Sequence, residues 1–500
     1  MSAEIMKGKI IIYPTKIMIE GYYERNPSIE SPLSVYDEVT HSYSFQAFIK
    51  DEENNTITIP SGYSVNYLSK MYPTYELIDK KRDIDKKLQK YKSKNKITMK
   101  YDFKNDLQKE ANAFLNTGFK YKTMQRFLCM QTGGGKTYNT VRYIVDNKER
   151  PIIFVDQDSL GQQWIDRIQE YTDTNENEIY YISGRSSIDK LMKMNKEDIL
   201  KIKFFICCYR TLMNAYEKEE NKNIINDLFE KIQVTMKVYD EAHVEFRSIF
   251  RIDMNSNLRT FYVTATPKRS APNEDKVYQR MFEHIDKFFS PTENYHNIVL
   301  YKWNSHPSLK QEFDCSNKYG FSTPNYCKYI LKEKYEEFKN LLIFLIFNYG
   351  LKNRRKRKLA ILFGTNELLE RFYTDLYKYI FDKKYKLEVG IFNGKVPKDK
   401  RLEILEKSDI ILTTDASFSK AMDVKGLQIL INTVPFSSDA KLTQVIGRLR
   451  FINTKEVFFF DVNDIGFEGV RRQLYIKTNN VYKKKAKNLF IKTHKEEPVI

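Results

Sequence analysis

The chain has 500 residues, of which 41% are hydrophobic and 30% are charged, so it is long enough for about three domains and too apolar to be disordered throughout. Its 18 glycines and 14 prolines are too few for a collagen-like or linker-like chain. Lys and Arg outnumber Asp and Glu by 83 to 65, and the net charge of +18 is typical of a protein that meets a phosphate backbone. The many Lys, Asn, Ile, Tyr and Phe residues have codons rich in A and T, which is an alternative source of the basic excess.

The sequence also carries signals on compartment. No segment is apolar over the roughly 20 residues that a membrane-spanning helix requires, and the longest apolar run is 341–347. The N-terminus lacks the apolar core and the cleavage site of a secretion signal. The five cysteines are odd in number and include no CxxC pair, which argues against a disulfide framework and a zinc site. We therefore expect a cytoplasmic protein, with the nucleus as the alternative, that has reduced core thiols and no membrane partner.

The predicted elements divide the chain into domains. Short β-like runs before Pro60 predict a small, mainly β N-terminal domain at 1–85, and a lysine-rich stretch predicts a connector at 86–104. Strand-like runs that alternate with helical patterns predict an α/β domain with a parallel sheet at 105–295. After a linker at 296–325 the alternation resumes, which predicts a second α/β domain at 326–470 and a basic C-terminal tail at 471–500.

A glycine-rich segment lies between the apolar run 127–130 and a helical pattern. It reads Gln131-Thr132-Gly133-Gly134-Gly135-Lys136-Thr137. Consecutive glycines let backbone N–H groups turn toward phosphate oxygens at the positive end of a helix, while the lysine neutralises those oxygens and the threonine can ligate Mg²⁺. Met130 stands where the stricter pattern has another glycine, but the core of the motif is complete. The segment predicts a phosphate-binding loop rather than a chance glycine-rich turn.

Two adjacent carboxylates, Asp240 and Glu241, follow a strand-like segment. A carboxylate at a strand end can hold Mg²⁺ through water, and its neighbour can polarise the water that attacks a γ-phosphate. An isolated Asp-Glu pair is more often a solvated turn, but its combination with a phosphate loop predicts a hydrolytic site. Arg448, in the second α/β domain, is a candidate for stabilising the transferring phosphoryl group.

Taken together, these segments resemble the ordered motifs of the superfamily 2 helicases over about 105–465. The resembling segments are the glutamine segment 107–111, the phosphate loop, motif Ia at 154–164, motif Ib at 208–212, the DEAH box at 240–243, motif III at 263–267, motif IV at 362–365, motif V at 413–423 and motif VI at 444–450. The resemblance implies two tandem RecA-like domains, ATP and Mg²⁺ as cofactors, and movement on nucleic acid.

The resemblance also implies roles for individual residues. These roles are nucleotide binding by Gln108, Thr132, Gly133, Gly134, Gly135, Lys136, Thr137, Asp423 and Arg450; magnesium ligation by Thr137 and Asp240; catalysis by Lys136, Glu241, Gln444 and Arg448; coupling by His243, Thr264, Ala265 and Thr266; and nucleic-acid contact by Gln163, Thr211, Thr365 and Thr414. Two positions depart from the family pattern. Ala421 replaces the usual motif V glycine, and the last arginine of motif VI falls at Arg450 because Phe451 occupies its usual position.

A narrower resemblance lies at the N-terminus. Segments 32–49 and 59–63 are similar to the poxvirus-type DNA helicase that promotes transcript release and to its relatives in other large cytoplasmic DNA viruses, with phage recombination helicases as an alternative. We expect a 3′ to 5′ ATP-dependent translocase that unwinds DNA in viral transcript release or late transcription, with RNA polymerase or a transcription complex as a partner. For a viral protein the expected place is the host cytoplasm or the virion. The alternatives are an RNA helicase and an accessory ATPase that remodels transcription complexes without unwinding.

Two basic runs, 352–358 and 483–487, add a further prediction. They read either as phosphate contacts, as solvated loops or as a nuclear localisation signal. Tyr482, beside the second run, could stack on a base if the tail is ordered.

Overall fold

A computed structural model describes residues 8–38, 40–94, 96–120, 124–131, 133–218, 223–269, 271–291, 294–317, 320–350, 358–421, 424, 426–436, 438–449 and 456–494. The chain forms two compact units, Met1–Ser290 and Pro291–Ile500. Each unit contains a seven-stranded sheet in which every observed pairing is parallel. The prediction of two α/β bodies is confirmed.

The first unit contains fourteen strands and twelve α-helices among its described residues. The strands are β1 (Lys9–Ile12), β2 (Lys16–Glu20), β3 (Ser34–Asp37), β4 (Ser42–Gln46), β5 (Ile49–Asp51), β6 (Thr56–Pro60), β7 (Glu76–Asp79), β8 (Gln125–Cys129), β9 (Pro151–Val155), β10 (Ile179–Ile182), β11 (Phe204–Cys208), β12 (Met236–Asp240), β13 (Arg259–Thr264) and β14 (Lys287–Phe289). The helices are α1 (Pro27–Glu30), α2 (Val65–Met71), α3 (Lys81–Gln89), α4 (Asp106–Lys120), α5 (Lys136–Asp146), α6 (Asp158–Tyr171), α7 (Arg185–Lys193), α8 (Lys196–Lys201), α9 (Tyr209–Lys218), α10 (Ile224–Ile232), α11 (Phe246–Met254) and α12 (Pro272–Met281).

The second unit contains nine strands and nine α-helices among its described residues. The strands are β15 (His296–Trp303), β16 (Ser316–Asn317), β17 (Gly320–Phe321), β18 (Lys358–Phe363), β19 (Val389–Phe392), β20 (Ile410–Thr414), β21 (Leu427–Asn432), β22 (Val457–Asp464) and β23 (Ala486–Thr493). The helices are α13 (Leu309–Asp314), α14 (Thr323–Tyr329), α15 (Tyr335–Leu345), α16 (Asn366–Asp382), α17 (Lys398–Lys407), α18 (Asp415–Ala421), α19 (Asp439–Ile446), α20 (Glu468–Lys477) and α21 (Lys483–Lys485).

A five-stranded sheet of order β5-β6-β2-β1-β7 forms the N-terminal part of the first unit. Alternate residues of its inner strands are buried, as Ile17 on β2 and Ile59 on β6 illustrate. This apolar face belongs to the same hydrophobic core as Phe127 of β8 and Phe250 of α11. The small mainly β element is therefore present as predicted, but it shares its core with the larger sheet. Short β-like runs predict strands, but they carry no information on what covers the buried face of the sheet.

Buried polar contacts join the two sheets. Thr15 Oγ1 lies 2.7 Å from the backbone oxygen of Ser256. Next to it, the Asp253 carboxylate accepts hydrogen bonds from Lys237 Nζ at 2.5 Å and from the Tyr239 hydroxyl at 2.7 Å. These contacts offset the cost of burying the charges, since an ion pair without further hydrogen bonds is expensive inside a protein.

The order of the first seven-stranded sheet, β10-β11-β9-β12-β13-β8-β14, brings three chain segments together. Strand β13 lies between β12 and β8, with Asp240 opposite Val263 and Thr264 opposite Cys129. In a parallel sheet the carboxyl ends of neighbouring strands meet at one edge, where ligands usually bind. The segments that follow β8, β12 and β13 therefore lie side by side.

The second seven-stranded sheet has the order β19-β20-β18-β21-β22-β15-β23. Residues 296–303, which the sequence analysis assigns to a linker, form the buried strand β15 beside β22. Residues 486–493, assigned to a tail, form the edge strand β23. Strand β15 is buried on both faces, and β23 is an exposed edge strand with lysines. Neither strand therefore shows the apolar–polar alternation by which half-buried strands are recognised.

Tyr482 is fully buried and donates a hydrogen bond to Asp461 Oδ2 at 2.6 Å. The expectation that it could stack on a base is therefore wrong, since its ring is part of the core of the second unit. Residues 352–357 of the other basic run lie outside the described residues, and Lys358 begins β18.

Two simpler expectations concern thiols and membranes. All five cysteines are buried and none forms a disulfide, as expected for reduced core thiols. Within the described part of the chain, no helix combines the length and the apolarity needed to cross a bilayer.

His296, the first residue of β15, gives the second unit an expected pH dependence. Its side chain is buried, and this burial lowers its pKa from 6.5 to about 4. The unfolded chain takes up a proton below about pH 6.5, whereas the native imidazole stays neutral to lower pH, so this part of the stability is present above pH 6.5 and is lost as the pH falls toward 4. Circular dichroism melting should show a smaller fall in Tm between about pH 7.5 and about pH 5 for His296→Phe than for the wild type. An equal fall in both proteins would contradict this prediction.

Candidate active site

The glycine-rich loop connects β8 to α5 in a conformation that requires glycine. Gly133 and Gly135 have φ angles of 83° and 101°, in the left-handed region that other residues rarely adopt. Gly135 is the N-cap of α5, which places Lys136 and Thr137 at the first two helical positions. Backbone N–H groups at a helix N-terminus form a ready anion site. Thr132 lies outside the described residues.

Gln108, on α4, packs directly against this loop. A Cβ atom built at Gly135 would lie only 2.6 Å from Gln108 Nε2, so no side chain fits at position 135 without displacing the glutamine. Gln108 Oε1 accepts a hydrogen bond from the backbone N–H of Lys104 at 2.8 Å, and the side chain is 94% buried, with 6% exposed. The structure thus brings the predicted nucleotide-reading glutamine to the phosphate loop.

Lys136 lies within the loop and not on the outer surface of α5. Its Nζ donates a hydrogen bond to the backbone oxygen of Met130 at 3.1 Å, which directs the ammonium group across the loop. Its positive charge is also one of the influences that lower the pKa of Asp240. The predicted lysine and the predicted magnesium ligand are therefore close enough to interact electrostatically.

Asp240, the last residue of β12, has a donor on each carboxylate oxygen. Oδ1 accepts the backbone N–H of Glu241 at 3.1 Å, and Oδ2 accepts the indole N–H of Trp164 at 2.8 Å. Burial and the negative charge of Glu241 raise the pKa of Asp240 to about 6, against the opposing effects of Trp164 and Lys136. At neutral pH the carboxylate is an anion with little solvation, and such a group favours a bound cation.

Glu241 adopts an unusual backbone conformation immediately after the strand. Its φ is 47°, which is rare for a residue with a side chain and is typical of functional turns. The turn is fixed by Val244 N–H, which donates to Glu241 O at 2.8 Å, and by Ala242 N–H, which donates to Val263 O at 3.1 Å. The strained residue therefore belongs to a well-held turn.

His243 is held between two threonine hydroxyls. Thr264 Oγ1 lies 2.8 Å from Nδ1 and Thr266 Oγ1 lies 3.1 Å from Nε2, with Ala265 between the two threonines. Thr264 Oγ1 also lies 3.3 Å from Glu241 Oε2. Burial lowers the pKa of His243 below its usual 6.5, so the ring is neutral at pH 7. A chain of hydrogen-bonding groups thus joins the acidic turn to the segment after β13.

Arg269 is a residue of this site to which the sequence analysis gives no role. Its guanidinium donates to the backbone oxygens of His243 and Val244, the latter at 2.8 Å, and Nε donates to Glu274 Oε2 at 2.9 Å. It therefore holds the backbone of the acidic turn, whereas the threonines hold the His243 ring. A signal was available, because Arg269 follows the Thr-Ala-Thr-Pro segment by only two residues.

The two predicted nucleic-acid contacts of the first unit lie on different helices. Gln163 is on α6, next to Trp164, and it is half-buried. Thr211 is on α9, and its hydroxyl accepts the backbone N–H of Gly184 at 2.9 Å. The Thr211 side chain thus has a structural partner within the unit.

In the second unit, two predicted contacts also share one sheet edge. Thr414 ends β20, and Thr365 follows β18 by two residues; the two strands are neighbours, with Phe363 opposite Thr414. Thr365 is the N-cap of α16, where its Oγ1 accepts Leu368 N–H at 3.4 Å. Thr414 Oγ1 lies 3.1 Å from Ser417 Oγ.

The remaining predicted residues belong to motifs V and VI. Gln444 lies in the last turn of α19, and Arg448 follows the helix, with its backbone N–H donating to Val445 O at 3.2 Å. Asp423 and Arg450 lie outside the described residues. Their predicted contacts with nucleotide stay predictions.

The side chains of the site can supply some of the ligands of a metal ion. No group of three or more His, Cys, Asp or Glu side chains is arranged to hold a metal among the residues that the structure describes. Magnesium is commonly bound by one or two protein oxygens together with phosphate oxygens and water. Asp240, beside a loop that carries Thr137, fits that kind of site, with the remaining ligands supplied by a phosphate substrate.

One protein-family model matches part of the first unit. Residues 103–269 match the family described as Type III restriction enzyme, res subunit, and this segment includes the phosphate loop, the acidic turn and Arg269. No curated protein matches the chain.

Two solved structures resemble the fold. S. cerevisiae Dbp5 bound to RNA and ADP BeF3 is 14% identical over 77% of this chain and 89% of its own, with a TM-score of 0.50. The ATP-dependent Type ISP restriction-modification enzyme LlaBIII bound to DNA is 12% identical over 80% of this chain and 32% of its own, with a TM-score of 0.54. The expectation of two tandem RecA-like domains with a small N-terminal mainly β domain is confirmed.

Proposed function

We propose that this chain, a superfamily 2 helicase-like protein, hydrolyses ATP in order to move on nucleic acid. The observation that carries the proposal is a shared sheet edge. The phosphate loop, the acidic turn at 240–244 and the threonine-bearing segment 264–266 meet at one edge of the first seven-stranded sheet. Support comes from the family match over 103–269 and from neighbours whose structures contain ADP BeF3 with RNA, or DNA.

The first unit contains the groups that the reaction needs. Backbone N–H groups of the loop and the ammonium of Lys136 would bind the β- and γ-phosphates, while Thr137 and Asp240 would hold Mg²⁺. When bound, magnesium neutralises charge on the phosphate oxygens. Glu241 would orient a water molecule and accept a proton from it as the water oxygen bonds to the γ-phosphorus. The bond from that phosphorus to the bridging oxygen breaks in the same step, and its electron pair stays on the ADP oxygen, which yields ADP and phosphate.

Thr264, which ends β13, and Thr266, which follows it, connect the reacting groups to the rest of the unit through hydrogen bonds. Thr264 lies within hydrogen-bonding distance of both Glu241 and His243, so a change in the glutamate position alters the partner of the histidine. Thr266 extends the chain to the loop that follows. These contacts provide a route by which the state of the nucleotide changes the grip on nucleic acid.

Residues of the second unit complete the proposal. We assign Arg448 to stabilisation of the transferring phosphoryl group and Gln444 to the same reaction.

Nucleic-acid contacts are assigned to residues of both units, namely Gln163, Thr211, Thr365 and Thr414. Thr211 acts through its backbone because its hydroxyl already accepts the backbone N–H of Gly184. Such contacts to phosphates position a strand without reading its sequence.

DNA is the proposed polymer, with 3′ to 5′ movement. The net charge of +18 favours a polyanion of either kind, so RNA is the second candidate. The N-terminal resemblance described above favours a place in viral transcript release with RNA polymerase as a partner. An accessory ATPase that displaces proteins or nascent RNA is the alternative within this setting.

A displacement assay tests the proposal. The chain is given ATP and a single strand of DNA or RNA that carries a bound protein block, at one fixed salt concentration, with ADP as the control. We expect ATP-dependent displacement that is about tenfold faster on DNA than on RNA. A duplex substrate added in parallel separates unwinding from displacement alone. If ATP promotes displacement on neither polymer, the proposed function is contradicted.

A further inference from the structure

Trp164 fixes the carboxylate of Asp240 from a helix that belongs neither to the phosphate loop nor to the acidic turn. The indole lies on α6, is 3% exposed, and its Nε1 is 2.8 Å from Asp240 Oδ2. Because Glu241 N–H engages the other oxygen at 3.1 Å, the carboxylate is held at both ends. The orientation of Asp240 therefore depends on the position of α6.

The chemistry of the donor suits a carboxylate that must remain negative. An indole N–H donates a hydrogen bond and carries no charge, so it stabilises the ionised form of Asp240 without neutralising it. A lysine or arginine in the same place would cancel the charge that attracts a cation. Each carboxylate oxygen also keeps a further lone pair, which leaves room for a metal ion.

Helix α6 also contacts the other half of the candidate site. It packs on α5, which begins with Lys136 and Thr137, and on the buried strands β9 and β11. The indole shares a hydrophobic core with Leu128 of β8 and Val238 of β12. A close-packed protein interior is barely compressible and transmits a shift of one element to its neighbours. A displacement of α6 would consequently reach Asp240.

The neighbouring residue supplies the reason for such a displacement. Gln163, which we assign to nucleic-acid contact, directly precedes Trp164 on α6. One short segment thus carries a proposed contact to the polymer and the donor to the proposed magnesium ligand. No other element among the described residues donates a side-chain hydrogen bond to Asp240.

We propose that Trp164 is a positioning residue through which nucleic acid bound at α6 controls the orientation of Asp240. The inference rests on the proposed function, because it assumes that Asp240 serves a magnesium nucleotide. It assigns to the indole a regulatory task in that site: binding of the polymer sets how readily the site accepts magnesium.

The chain offers a matched control, because it has only two tryptophans. Trp303, on β15, is also buried, at 4% exposed, and its Nε1 has no hydrogen-bond partner among the residues that the structure describes. Trp164→Phe removes a buried indole together with its hydrogen bond to Asp240, whereas Trp303→Phe removes a buried indole that makes no such hydrogen bond.

The test is a magnesium titration of nucleotide binding, with the fluorescent analogue mant-ADP as the probe and single-stranded DNA present or absent. For Trp164→Phe we expect the magnesium midpoint to rise about tenfold, which is the order of magnitude for losing a hydrogen bond to a charged group. DNA should shift the midpoint in the wild type and in Trp303→Phe, and it should no longer do so in Trp164→Phe. Binding without magnesium should be the same in all three proteins.

A second measurement uses Trp303→Phe, in which Trp164 is the only indole. Magnesium with ADP and beryllium fluoride should change the emission of this tryptophan, and DNA should change it further. This measurement tests the proposal even if Trp164→Phe does not fold. Emission of Trp164 that stays constant when DNA is added would overturn the proposal.

The outcomes separate this inference from the proposed function. If the wild type binds the nucleotide with magnesium but Trp164→Phe has the same midpoint and the same response to DNA, the role of Trp164 is overturned and the proposed function stands. If the wild type shows no magnesium-dependent binding of the nucleotide, both are overturned.

Discussion

Replacement of Lys136 by alanine is expected to lower ATP hydrolysis by at least about 100-fold, the order found when one preorganised charge-stabilising donor is lost. Lys136 occupies the first helical position of α5, and its ammonium lies across the loop against Met130 O. Removing it takes away the positive charge that faces the phosphate oxygens in the proposed complex. Phosphate release at saturating ATP and DNA measures the effect.

The control for this variant is Lys190→Ala, which removes an exposed lysine from α7. It should leave phosphate release unchanged, and both variants should retain nucleic-acid binding because neither lysine is among the proposed contacts. A rate for Lys136→Ala close to that of the wild type would contradict the assignment of the loop.

Replacement of Glu241 by glutamine should lower hydrolysis by about 100-fold or more, the range expected for a group that accepts a proton in the reaction. The amide keeps the shape of the side chain and can still bond Thr264, which lies 3.3 Å from Glu241 Oε2, but it cannot take up a proton. Nucleotide binding should persist. The variant should also lower the pKa of Asp240, because the charge of Glu241 helps to raise it.

Parallel assays of phosphate release and mant-ATP binding test this prediction. The matched control is Glu245→Gln, four residues along the chain, where the carboxylate accepts a bond from Ser248 at 2.8 Å. Hydrolysis by Glu241→Gln at the rate of this control would remove Glu241 from the proposed reaction.

The loops of the candidate site could be predicted from the sequence, because each of them is set by the residues next to it in the chain. The strands that end at Cys129, Asp240 and Thr264 are apolar runs followed by polar residues, and parallel strands place their carboxyl ends together. The glycines at 133 and 135 stand where the backbone turns left-handed. These features depend on neighbours in sequence, so they can be read before the fold is known.

Other features depend on contacts between distant segments. Trp164 and Asp240 are 76 residues apart. Their hydrogen bond depends on the packing of α6 on β9, which is the neighbour of β12 in the sheet. The same holds for Arg269, whose partners His243 and Val244 precede it by more than twenty residues. No periodicity or composition carries such information.

Two strands of the second sheet were missed. One lacks clear alternation, and the other was taken for a tail because of its charge. Strand β15 is buried on both faces and therefore shows no alternation, while β23 is an edge strand with lysines. The mainly β character of the N-terminal domain was predicted, but the core that it shares with α11 of the first unit was not. The polymer, the direction of movement and the place in transcription stay proposals.

The most direct test of the central claim is phosphate release from ATP by the wild-type chain, with and without single-stranded nucleic acid, beside Lys136→Ala. We expect nucleic acid to stimulate release by about tenfold or more, equivalent to about 1.4 kcal/mol of barrier, and we expect no stimulation of the variant. Release that neither DNA nor RNA raises above the rate of Lys136→Ala would contradict it.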